Sequence, residues 1–556
     1  MYKIIEDLSE VSHLSNTHPL FSDTESDGLY INLRLLQVFQ PDVNDLVYIL
    51  DTDILDETEI TNWLAPKHAV WYNSAYDLGL LNLPMKKFDD LFFAVRTAYP
   101  SFREYPLDKV IDKMGYTHFY KDIDKKAMQK EGFKKGVKLT ADQYKYAATD
   151  CIVLNKMYKD AKIQAVIANN KAYQLDVKSQ YYAIRYQQNG IPMHQASVAK
   201  EKAIVDEKIA EIKPQLGCLN VNSPKQCKKV LGTPSTNKET LIHLITEDKG
   251  AIGKTAKLIY DQRRHLKRKN LLDSYSFPVV ETRFNVAGAI TGRFTSTGGN
   301  LRRGINSQQI PRALKYLIQP PKGYVIVKGD YPTIELRFGC AIFKEPNMYA
   351  QLVAKIDLHK AVAAEVQSKR LEDVTKDERQ KAKAVNFGFI FGMSDERFKE
   401  YAFVEYGVVF TTQEAKEAKA KYFTMYPNIK KYHGAVWEGV KRGTYVYRTA
   451  MGRVVKPKLG TDGINGPVQG STAECTKLAI HYAAKETNEK ILEYIINVVH
   501  DEIILCVPEE QEAYWSDVLK RNMEEAWKQI SKASIMHYKD IPMEVEIEYV
   551  RYQEVI

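Results

Sequence analysis

Two acidic residues far apart in the chain stand at the ends of strand-like runs, and this constrains the fold most strongly. GYVIVKGD ends on Asp330, and its β-branched and aromatic residues predict a buried strand. IINVVHDEIILCV places Asp501 and Glu502 at a short polar break between two β-branched runs, which predicts a hairpin with the acids at its turn. If the strands are neighbours, both acids can share metal ions. YPTIELRFG, after Asp330, is predicted to be helical, with Pro332 in the first turn.

Between these acids, VTKDERQKAKAVNFGFIFGM predicts a helix that begins at a Thr375/Glu378 capping box. One stripe of this helix repeats every four residues and is basic at its N-terminal end and aromatic at the other. A core helix would not carry basic residues in its apolar stripe, and a surface stripe has little reason to carry two phenylalanines. A nucleotide explains both halves, with triphosphate on the basic end and sugar or base on the aromatic end. The stripe consists of Arg379, Lys383, Phe387 and Phe391.

Near the N-terminus, carboxylates occur in patterns that bring them together. Asp23 and Glu25, in FSDTESDGL, point to the same face of a strand. AVWYNSAYDLGLL predicts a strand and then a helix, with Asn73 as the N-cap and Asp77 within the helix. Either pattern alone is common by chance, so the inference depends on their order and context.

A third pattern lies in a long predicted helix that runs over 139–168. A capping box of Thr140 and Gln143 marks its start. Tyr146 and Asp150 are four residues apart and therefore share one helix face. Hard oxygen ligands select Mg²⁺ or Mn²⁺. Two such ions ~3.5–4 Å apart can activate water and stabilise the leaving oxygen of a phosphodiester.

These patterns, taken in order, resemble the three motifs of the DEDD 3′→5′ exonucleases in the variant with tyrosine. The resemblance implies that Asp23, Glu25, Asp77 and Asp150 hold two divalent metals. Tyr146 would orient the attacking water.

The C-terminal motifs resemble motifs A, B and C of the family A DNA polymerases, the bacterial polymerase I type. They are DYPTIELR, the R-x3-K-x3-F-x3-F-G helix and VHDE. Flanking segments match in collinear order over nearly the whole chain. They are NVNSPKQCKKVLG, TPSTNKETL, TGR, NSQQIPR, IDLHKAVAAEV, KYFTMYPNIKKY and INGPVQGSTAE.

The resemblance implies template-directed extension of a primer 3′-OH with dNTPs, using two Mg²⁺ per active site, with Mn²⁺ as a possible substitute. Asp330, Asp501 and the carbonyl of Tyr331 would bind metal, and Glu502 would support the site. Glu335 would exclude a ribose 2′-OH, and Phe387 would disfavour dideoxynucleotides. The implied nucleotide-binding set is Arg379, Lys383, Phe387, Phe391, Glu335, His359 and Tyr331. The implied DNA-binding set is Arg293, Asn306, Gln308, Asn465, Gln469, His500, Arg263 and Lys267.

Several positions depart from the family pattern. They put fidelity and minor-groove sensing in doubt, but not the chemistry. Pro332 and Thr333 replace Ser-Gln of motif A, and Phe391 replaces a Tyr. Thr461 stands where an Arg is common, and Val498 where a Gln precedes VHDE. An insertion around Gly298–Gly304 separates TGR from NSQQIP.

The predicted fold class is α/β and α+β multidomain, with an RNase H-like exonuclease domain followed by a right-hand polymerase. The predicted domains are 1–168 exonuclease, 169–310 thumb and palm entry, 311–344 palm with motif A, 345–430 fingers with motif B, and 431–556 palm with motif C. We expect no 5′-nuclease domain and no thioredoxin-binding insert. This domain content indicates a bacteriophage replicative enzyme.

The net charge of +9 agrees with a polyanionic partner but does not establish one. The densest basic run in the chain is DQRRHLKRKN. The run alone indicates a solvated helix face, whereas the resemblance implies that it lies in the thumb and contacts duplex phosphates. The six cysteines form no CxxC pair, so zinc is not expected.

We expect a monomer whose partners are primer–template DNA and dNTPs, with helicase, primase and single-strand binding protein as possible replisome partners. No signal peptide or membrane span is expected, so the predicted location is the cytoplasm, of the host if the chain is phage-encoded.

Three alternatives stay open at this point. A single-subunit RNA polymerase shares the polymerase motifs, but Glu335 and the exonuclease set argue against it, and rNTP use would identify it. An exonuclease with a degenerate polymerase half would keep its activity after Asp330→Asn. A non-enzymatic DNA-coating protein has no reason to keep two sets of metal-ligand carboxylates.

Overall fold

The computed structural model describes residues 1–28, 31–102, 104–121, 123–124, 127–128, 131–248, 250–299 and 301–553. Asn300, in the predicted insertion, lies outside the described residues. Among the described residues, no helix is both long and apolar enough to cross a membrane. The cysteines are free thiols, as expected.

The N-terminal part is built on a mixed six-stranded sheet in the order β1-β4-β3-β2-β5-β6. β2 lies inside this sheet, antiparallel to β3 and parallel to β5. The strands are β1 Tyr2–Ile4, β2 Pro19–Asp27, β3 Asn32–Phe39, β4 Val47–Asp51, β5 His68–Trp71 and β6 Phe88–Asp90. The helices are α1 Glu57–Leu64, α2 Ser74–Leu80, α3 Leu91–Ala98, α4 Leu107–Lys113, α5 Ala141–Tyr158 and α6 Ala161–Asn169.

The capping box of Thr140 and Gln143 is confirmed at the start of α5. The prediction of one continuous helix over 139–168 is wrong, because the chain breaks before Asp160. Its carboxylate accepts hydrogen bonds from the backbone amides of Lys162 and Ile163 and so starts α6 as a separate helix.

The middle of the chain is largely helical. Its long helices α8 and α11 pack along each other, and α9 and α10 pack on α11 around a small separate core. The helices are α7 Lys171–Tyr186, α8 Gln195–Leu216, α9 Pro224–Leu231, α10 Lys238–Glu247 and α11 Ala251–Ser274. Short paired strands follow, β7 Ile191–Pro192 with β8 Val279–Val280, and β9 Arg283–Asn285 with β10 Thr295–Thr297.

The C-terminal part contains an antiparallel four-stranded sheet in the order β14-β15-β11-β16. The strands of this part are β11 Tyr324–Asp330, β12 Tyr447–Arg448, β13 Val454–Val455, β14 Ile495–Val499, β15 Glu502–Pro508 and β16 Glu546–Arg551. The helices are α12 Ile334–Phe343, α13 Pro346–Val353, α14 Leu358–Gln367, α15 Lys376–Ile390, α16 Asp395–Tyr406, α17 Thr412–Met425, α18 Pro427–Lys441, α19 Gly460–Glu486 and α20 Glu512–Ile530.

This sheet confirms that the strand ending at Asp330 and the hairpin strand are neighbours, because β11 pairs with β15. A β-carbon at Gly329 would lie 2.6 Å from the Met523 sulfur, so glycine lets β11 approach α20 closely. The prediction that Pro332 lies in the first helical turn is wrong. Thr333 occupies a left-handed N-cap position at φ 53°, and α12 begins only at Ile334.

Candidate active sites

Asp330 and Asp501 meet at one end of the four-stranded sheet. Gly329 pairs with Ile503, so Asp330 lies beside the β14–β15 turn that carries Asp501, and the condition for a shared site is met. Burial, with the charges of Glu502 and Glu546, raises the pKa of Asp330 to about 6. Burial, with the charge of Asp330, raises the pKa of Asp501 to about 7. Two acids that repel each other in a half-buried place form a site that attracts cations.

Both acids line a cleft of about 710 Å³. Ten of its lining residues belong to the predicted site: Arg293, Asp330, Tyr331, Glu335, His359, Arg379, Lys383, Phe387, His500 and Asp501. Five others line it too: Pro332, Thr333, Ile334, Tyr401 and Glu546. Glu546 was not predicted, and it enters because β16 pairs with β11 and sets it opposite Asp330. Tyr401, on α16, carries no sequence signal that would have identified it.

Helix α15 brings the basic end of the predicted stripe into this cleft. The capping box of Thr375 and Glu378 is confirmed. The Arg379 guanidinium donates to Asp357 at 2.7 Å. Burial, with the charge of Arg379, lowers the pKa of Lys383. Arg379 and Lys383 both line the cleft and feel each other's charge, and such a pair of cations suits a polyanionic ligand.

The two phenylalanines of the stripe lie in different surroundings. Phe387 lines the cleft, with its ring centroid 5.7 Å from that of His359. Phe391 is the C-cap residue of α15, is buried, and is not among the described residues that line the cleft. The helix ends at Ile390, so the four-residue repeat stops before Phe391. The predicted contact between Phe391 and a base finds no support in this geometry.

His359 is buried and neutral in the cleft wall. Burial, together with Lys383 and Arg379 nearby, lowers its pKa to about 4. Its Nδ1 lies 3.1 Å from the side-chain nitrogen of Asn386. Its Nε2 has no hydrogen-bond partner among the described residues. A neutral ring with an open nitrogen in the wall can serve a bound polar group.

The predicted DNA-contacting residues are spread more widely. Arg293 donates to Glu335, and His500 forms the β14–β15 turn at φ 58°. Asn306 accepts from the Ser296 hydroxyl at 2.7 Å. Gln308 donates to the Val498 carbonyl at 3.3 Å. Asn465 and Gln469 lie on α19. Of this group only Arg293 and His500 line the cleft.

The basic run on α11 is partly used by the fold itself. The Arg263 guanidinium donates to the carbonyl oxygens of Val221 at 2.6 Å and Thr236 at 2.5 Å. A phosphate contact by Arg263 would require it to leave both carbonyls. Lys267 is exposed on the same helix. Lys267 is therefore the better candidate for an electrostatic contact.

A second acidic site lies in the N-terminal sheet. The carboxylate oxygens of Asp23, Glu25 and Asp150 lie within 4.8 Å of one another. β2 supplies the first two and α5 supplies the third, as the spacing predicted. Asp77, on α2, accepts a hydrogen bond from the Thr24 hydroxyl at 2.7 Å.

The electrostatics of this cluster fit a divalent cation. Burial, with the charges of Asp150 and Asp77, raises the pKa of both Asp23 and Glu25. Burial raises the pKa of Asp77 to about 7. Buried carboxylates that repel each other are costly unless a cation neutralises them, and the donors are the hard oxygens that Mg²⁺ and Mn²⁺ prefer.

Two tyrosines border the cluster. Tyr146 lies on α5 with its ring centroid 6.4 Å from that of Tyr120. The Tyr120 hydroxyl donates to Asp150, a contact that the sequence did not reveal because Tyr120 ends a short 3₁₀ helix, Thr117–Tyr120, thirty residues before Asp150.

Asn73 occupies the N-cap position of α2, but its side chain does not cap the helix. It adopts φ 67°, and Asp90 accepts from the backbone amides of Asn73 at 3.1 Å and Ser74 at 2.7 Å instead. The prediction is thus right about the place of the helix start and wrong about the capping group.

Comparisons with known proteins identify the family to which the chain belongs. The family model "DNA polymerase family A" matches residues 192–552. DNA polymerase I of Aquifex aeolicus is 27% identical, covering 96% of each chain. DNA polymerase I of Caldicellulosiruptor bescii is 30% identical, and the aligned part covers 58% of this chain and 41% of that longer relative. DNA polymerase I of Pseudomonas aeruginosa is 30% identical over 53% of this chain, which spans 34% of that relative.

A solved structure has the same fold. It is the POL domain of Pol1 from M. smegmatis, in complex with DNA primer-template and dNTP. The TM-score is 0.72 at 19% sequence identity, with 98% of this chain and 96% of that chain covered. Because the family model spans more than half of the chain, the protein belongs to DNA polymerase family A and is a template-directed DNA polymerase.

Proposed function

We propose that the cleft around Asp330 and Asp501 is the polymerase site, where a primer 3′-OH is extended with dNTPs. The observation that carries this is the pairing of β11 with β15, which joins the two acids at a cleft that also holds Arg379, Lys383 and Phe387. The M. smegmatis protein of the same fold was solved with DNA primer-template and dNTP, which supports these partners for this chain.

Within this proposal each side chain has a defined task. Asp330, Asp501 and the carbonyl of Tyr331 would hold Mg²⁺. When bound, the ions supply positive charge that lowers the pKa of the 3′-OH and offsets the negative charge of the triphosphate. Arg379 and Lys383 bind phosphate oxygens. To do so, Arg379 shares or leaves its ion pair with Asp357, so nucleotide binding is coupled to the start of α14.

Two further groups act on specificity and orientation. Glu335, at the cleft and in an ion pair with Arg293, limits the space for a ribose 2′-OH. Glu502 supports the site from its side, in an ion pair with Lys315 at 3.1 Å. This pair leaves Asp501 as the hairpin acid that faces the cleft.

We also propose that the N-terminal cluster is a 3′→5′ exonuclease site that removes mispaired 3′ nucleotides. The carrying observation is the mutual contact of Asp23, Glu25 and Asp150, with Asp77 adjacent. Such a set would hold divalent cations, which supply an activated water for phosphodiester hydrolysis. Tyr146 orients that water, and Tyr120 fixes Asp150 through its hydroxyl.

An end-labelled primer on a longer template tests both sites in one gel assay, with Mg²⁺ and with or without the four dNTPs. We expect extension with dNTPs and shortening without them. Asp330→Asn should abolish extension and spare shortening. Asp23→Ala with Glu25→Ala should do the reverse.

The exposed pair Asp42→Ala with Asp45→Ala, in the same N-terminal part, is the matched control and should change neither activity. Joint loss of both activities in a folded single-site variant would contradict the assignment of two separate sites.

The proposed biological role is DNA replication in a bacteriophage, with helicase, primase and single-strand binding protein as partners.

A further inference from the structure

The loop that carries Arg293 is held at several points by side chains from elsewhere in the chain. It joins β9 to β10, which pair with Thr295 opposite Asn285. Inside it, the Gly292 amide donates to the Ala289 carbonyl at 3.0 Å. The Ala289 amide donates to the Arg293 carbonyl at 3.3 Å. The Ala289 peptide is therefore the direct backbone neighbour of Arg293 across the loop.

The N-terminal part reaches this loop through Arg96, on α3. The Arg96 guanidinium donates to the carbonyl oxygens of Ala287 and Ala289, although almost two hundred residues separate them in sequence. Arg96 is only 5% exposed, so these bonds are not shared with bulk water. A second tie lies beside it, where the Asn285 side chain donates to Asn73 at 2.7 Å.

The opposite side of the loop is fixed by a buried ionic cluster. Lys477, on α19, donates to the Gly292 carbonyl at 2.7 Å and to Asp176 at 2.6 Å. Arg453 donates to the same Asp176. Gly292 has φ 87°, and a β-carbon there would lie 2.6 Å from Arg453 Nε, so the loop sits directly on this cluster. The backbone of Arg293 is therefore held from two sides.

We infer that Arg96, in the N-terminal part, is a positioning residue for the polymerase reaction, because it fixes the loop that places Arg293 in the cleft. The inference depends on the proposed role of Arg293 at the primer–template. It deepens that role by making the N-terminal part a structural support of the polymerase cleft. Arg96 acts through the loop and touches none of the reacting groups.

The chemistry of arginine explains why this residue type is present. Its planar fork presents two N–H groups at once to carbonyls two residues apart, which a lysine ammonium does with poorer geometry. Without the guanidinium, the Ala287 carbonyl loses its side-chain donor, and the Ala289 carbonyl keeps, among the described residues, only the Gly292 amide of the same loop. The Ala289 peptide then has no tie to the N-terminal part through Arg96, and a shift of this peptide moves the carbonyl of Arg293 with it.

Single-nucleotide extension on a primer–template in the full chain tests the inference, with KM for DNA and kcat measured separately. We expect Arg96→Ala to raise KM for the primer–template by about fivefold, the effect of losing one ordinary hydrogen bond, because Arg96 acts on the DNA only through the loop, with kcat nearly unchanged. Arg96→Lys should restore part of the loss. Digestion of single-stranded DNA should stay at the wild-type rate, which shows that the N-terminal part is folded.

Arg34→Ala is the matched control. Arg34 is also a buried arginine of the N-terminal part, but it pairs with Asp51, Asp53 and the Val137 carbonyl, which all lie in that part. We expect it to leave KM for the primer–template unchanged. An equal rise of KM in Arg34→Ala and Arg96→Ala would overturn the inference, because general loosening of the N-terminal part would then explain both.

A double-mutant cycle with Arg293→Ala gives the decisive result. If Arg96 acts through Arg293, the double variant should have the KM of Arg293→Ala alone. Independent, multiplicative effects would overturn the inference and leave the proposed role of Arg293 intact. An unchanged KM in Arg293→Ala would overturn both. Should Arg96→Ala not fold, Arg96→Lys, which keeps the charge and loses the planar fork, enters the same cycle with the same outcomes.

Discussion

Asp176→Asn is the substitution whose effect on stability follows most directly from the structure. Asp176 is fully buried on α7 and accepts from Lys477 and Arg453, which are equally buried. Burial alone would raise the pKa of Asp176, but the two cations hold it below its ordinary value, so it is ionised at neutral pH. Asparagine keeps the shape and removes the charge.

The expected loss of unfolding free energy is about 3–5 kcal/mol, the cost of leaving buried charges without their partner. One anion serves two cations here, which places the loss toward the upper end of that range. Glu474 offsets part of it, because burial raises its pKa to about 7 and a nearby uncompensated Arg453 favours its ionised form. With a urea dependence of about 3 kcal/mol per molar, the denaturation midpoint falls by roughly 1–1.7 M.

Urea denaturation at pH 7 and pH 9.5 measures this loss and its sign. Burial lowers the pKa of Lys477 in the folded protein, while an unfolded lysine keeps a value of about 10.4. The unfolded chain therefore binds more protons between these values, and stability rises with pH in that window. In Asp176→Asn the pKa of Lys477 in the folded protein falls further. The loss of unfolding free energy relative to the wild type should therefore be smaller at pH 9.5 than at pH 7. Asp176→Asn with Lys477→Met should also recover part of the loss.

Asp206→Asn is the control, since Asp206 pairs with Lys269 at 2.6 Å in a half-exposed ion pair and should contribute less than about 1 kcal/mol. If Asp176→Asn is no more destabilising than Asp206→Asn, the cluster does not stabilise the fold as argued.

Three further predictions concern the cleft and its surroundings. Lys383→Ala should raise KM for dNTPs by about tenfold or more and leave KM for DNA unchanged in steady-state extension, because a charge-assisted contact to phosphate is lost. Phe387→Tyr should raise dideoxynucleotide incorporation by about tenfold or more in a competition assay, because the new hydroxyl replaces the missing 3′-OH; an unchanged ratio would remove Phe387 from the sugar site. Burial lowers the pKa of His433 to about 4, so stability should fall as pH drops from 6.5 toward 4, and His433→Gln should flatten that slope in urea midpoints.

Local signals predicted the elements that carry the site. Both capping boxes are present, because a Thr or Ser with Glu or Gln three residues on is satisfied within a single helical turn. The strand ending at Asp330 and the hairpin at Asp501 follow from residue type alone. The sequence did not show that the strands carrying Asp330 and Asp501 are neighbours, because no local pattern states which strands pair.

Contacts between distant segments were beyond the reach of the sequence. Nothing near Arg96 indicates that its guanidinium meets carbonyls in the β9–β10 loop. The basic run on α11 suggested a free positive face, whereas Arg263 donates to two carbonyl oxygens of neighbouring turns. The helix stripe failed at Phe391, because periodicity describes a helix interior and does not state where the helix ends.

The strand order of the C-terminal sheet also determines when the two acidic sites can form during synthesis. The N-terminal acidic cluster has all its groups once α5 has left the ribosome, and its contacts lie within the first part of the chain. β11 must wait for β15 on one side and β16 on the other, at the far end of the sequence. At roughly 5–20 residues per second, about 20–80 s separates the completion of α5 from that of β16. A nascent chain thus carries the complete set of N-terminal acids well before Asp330 can meet Asp501.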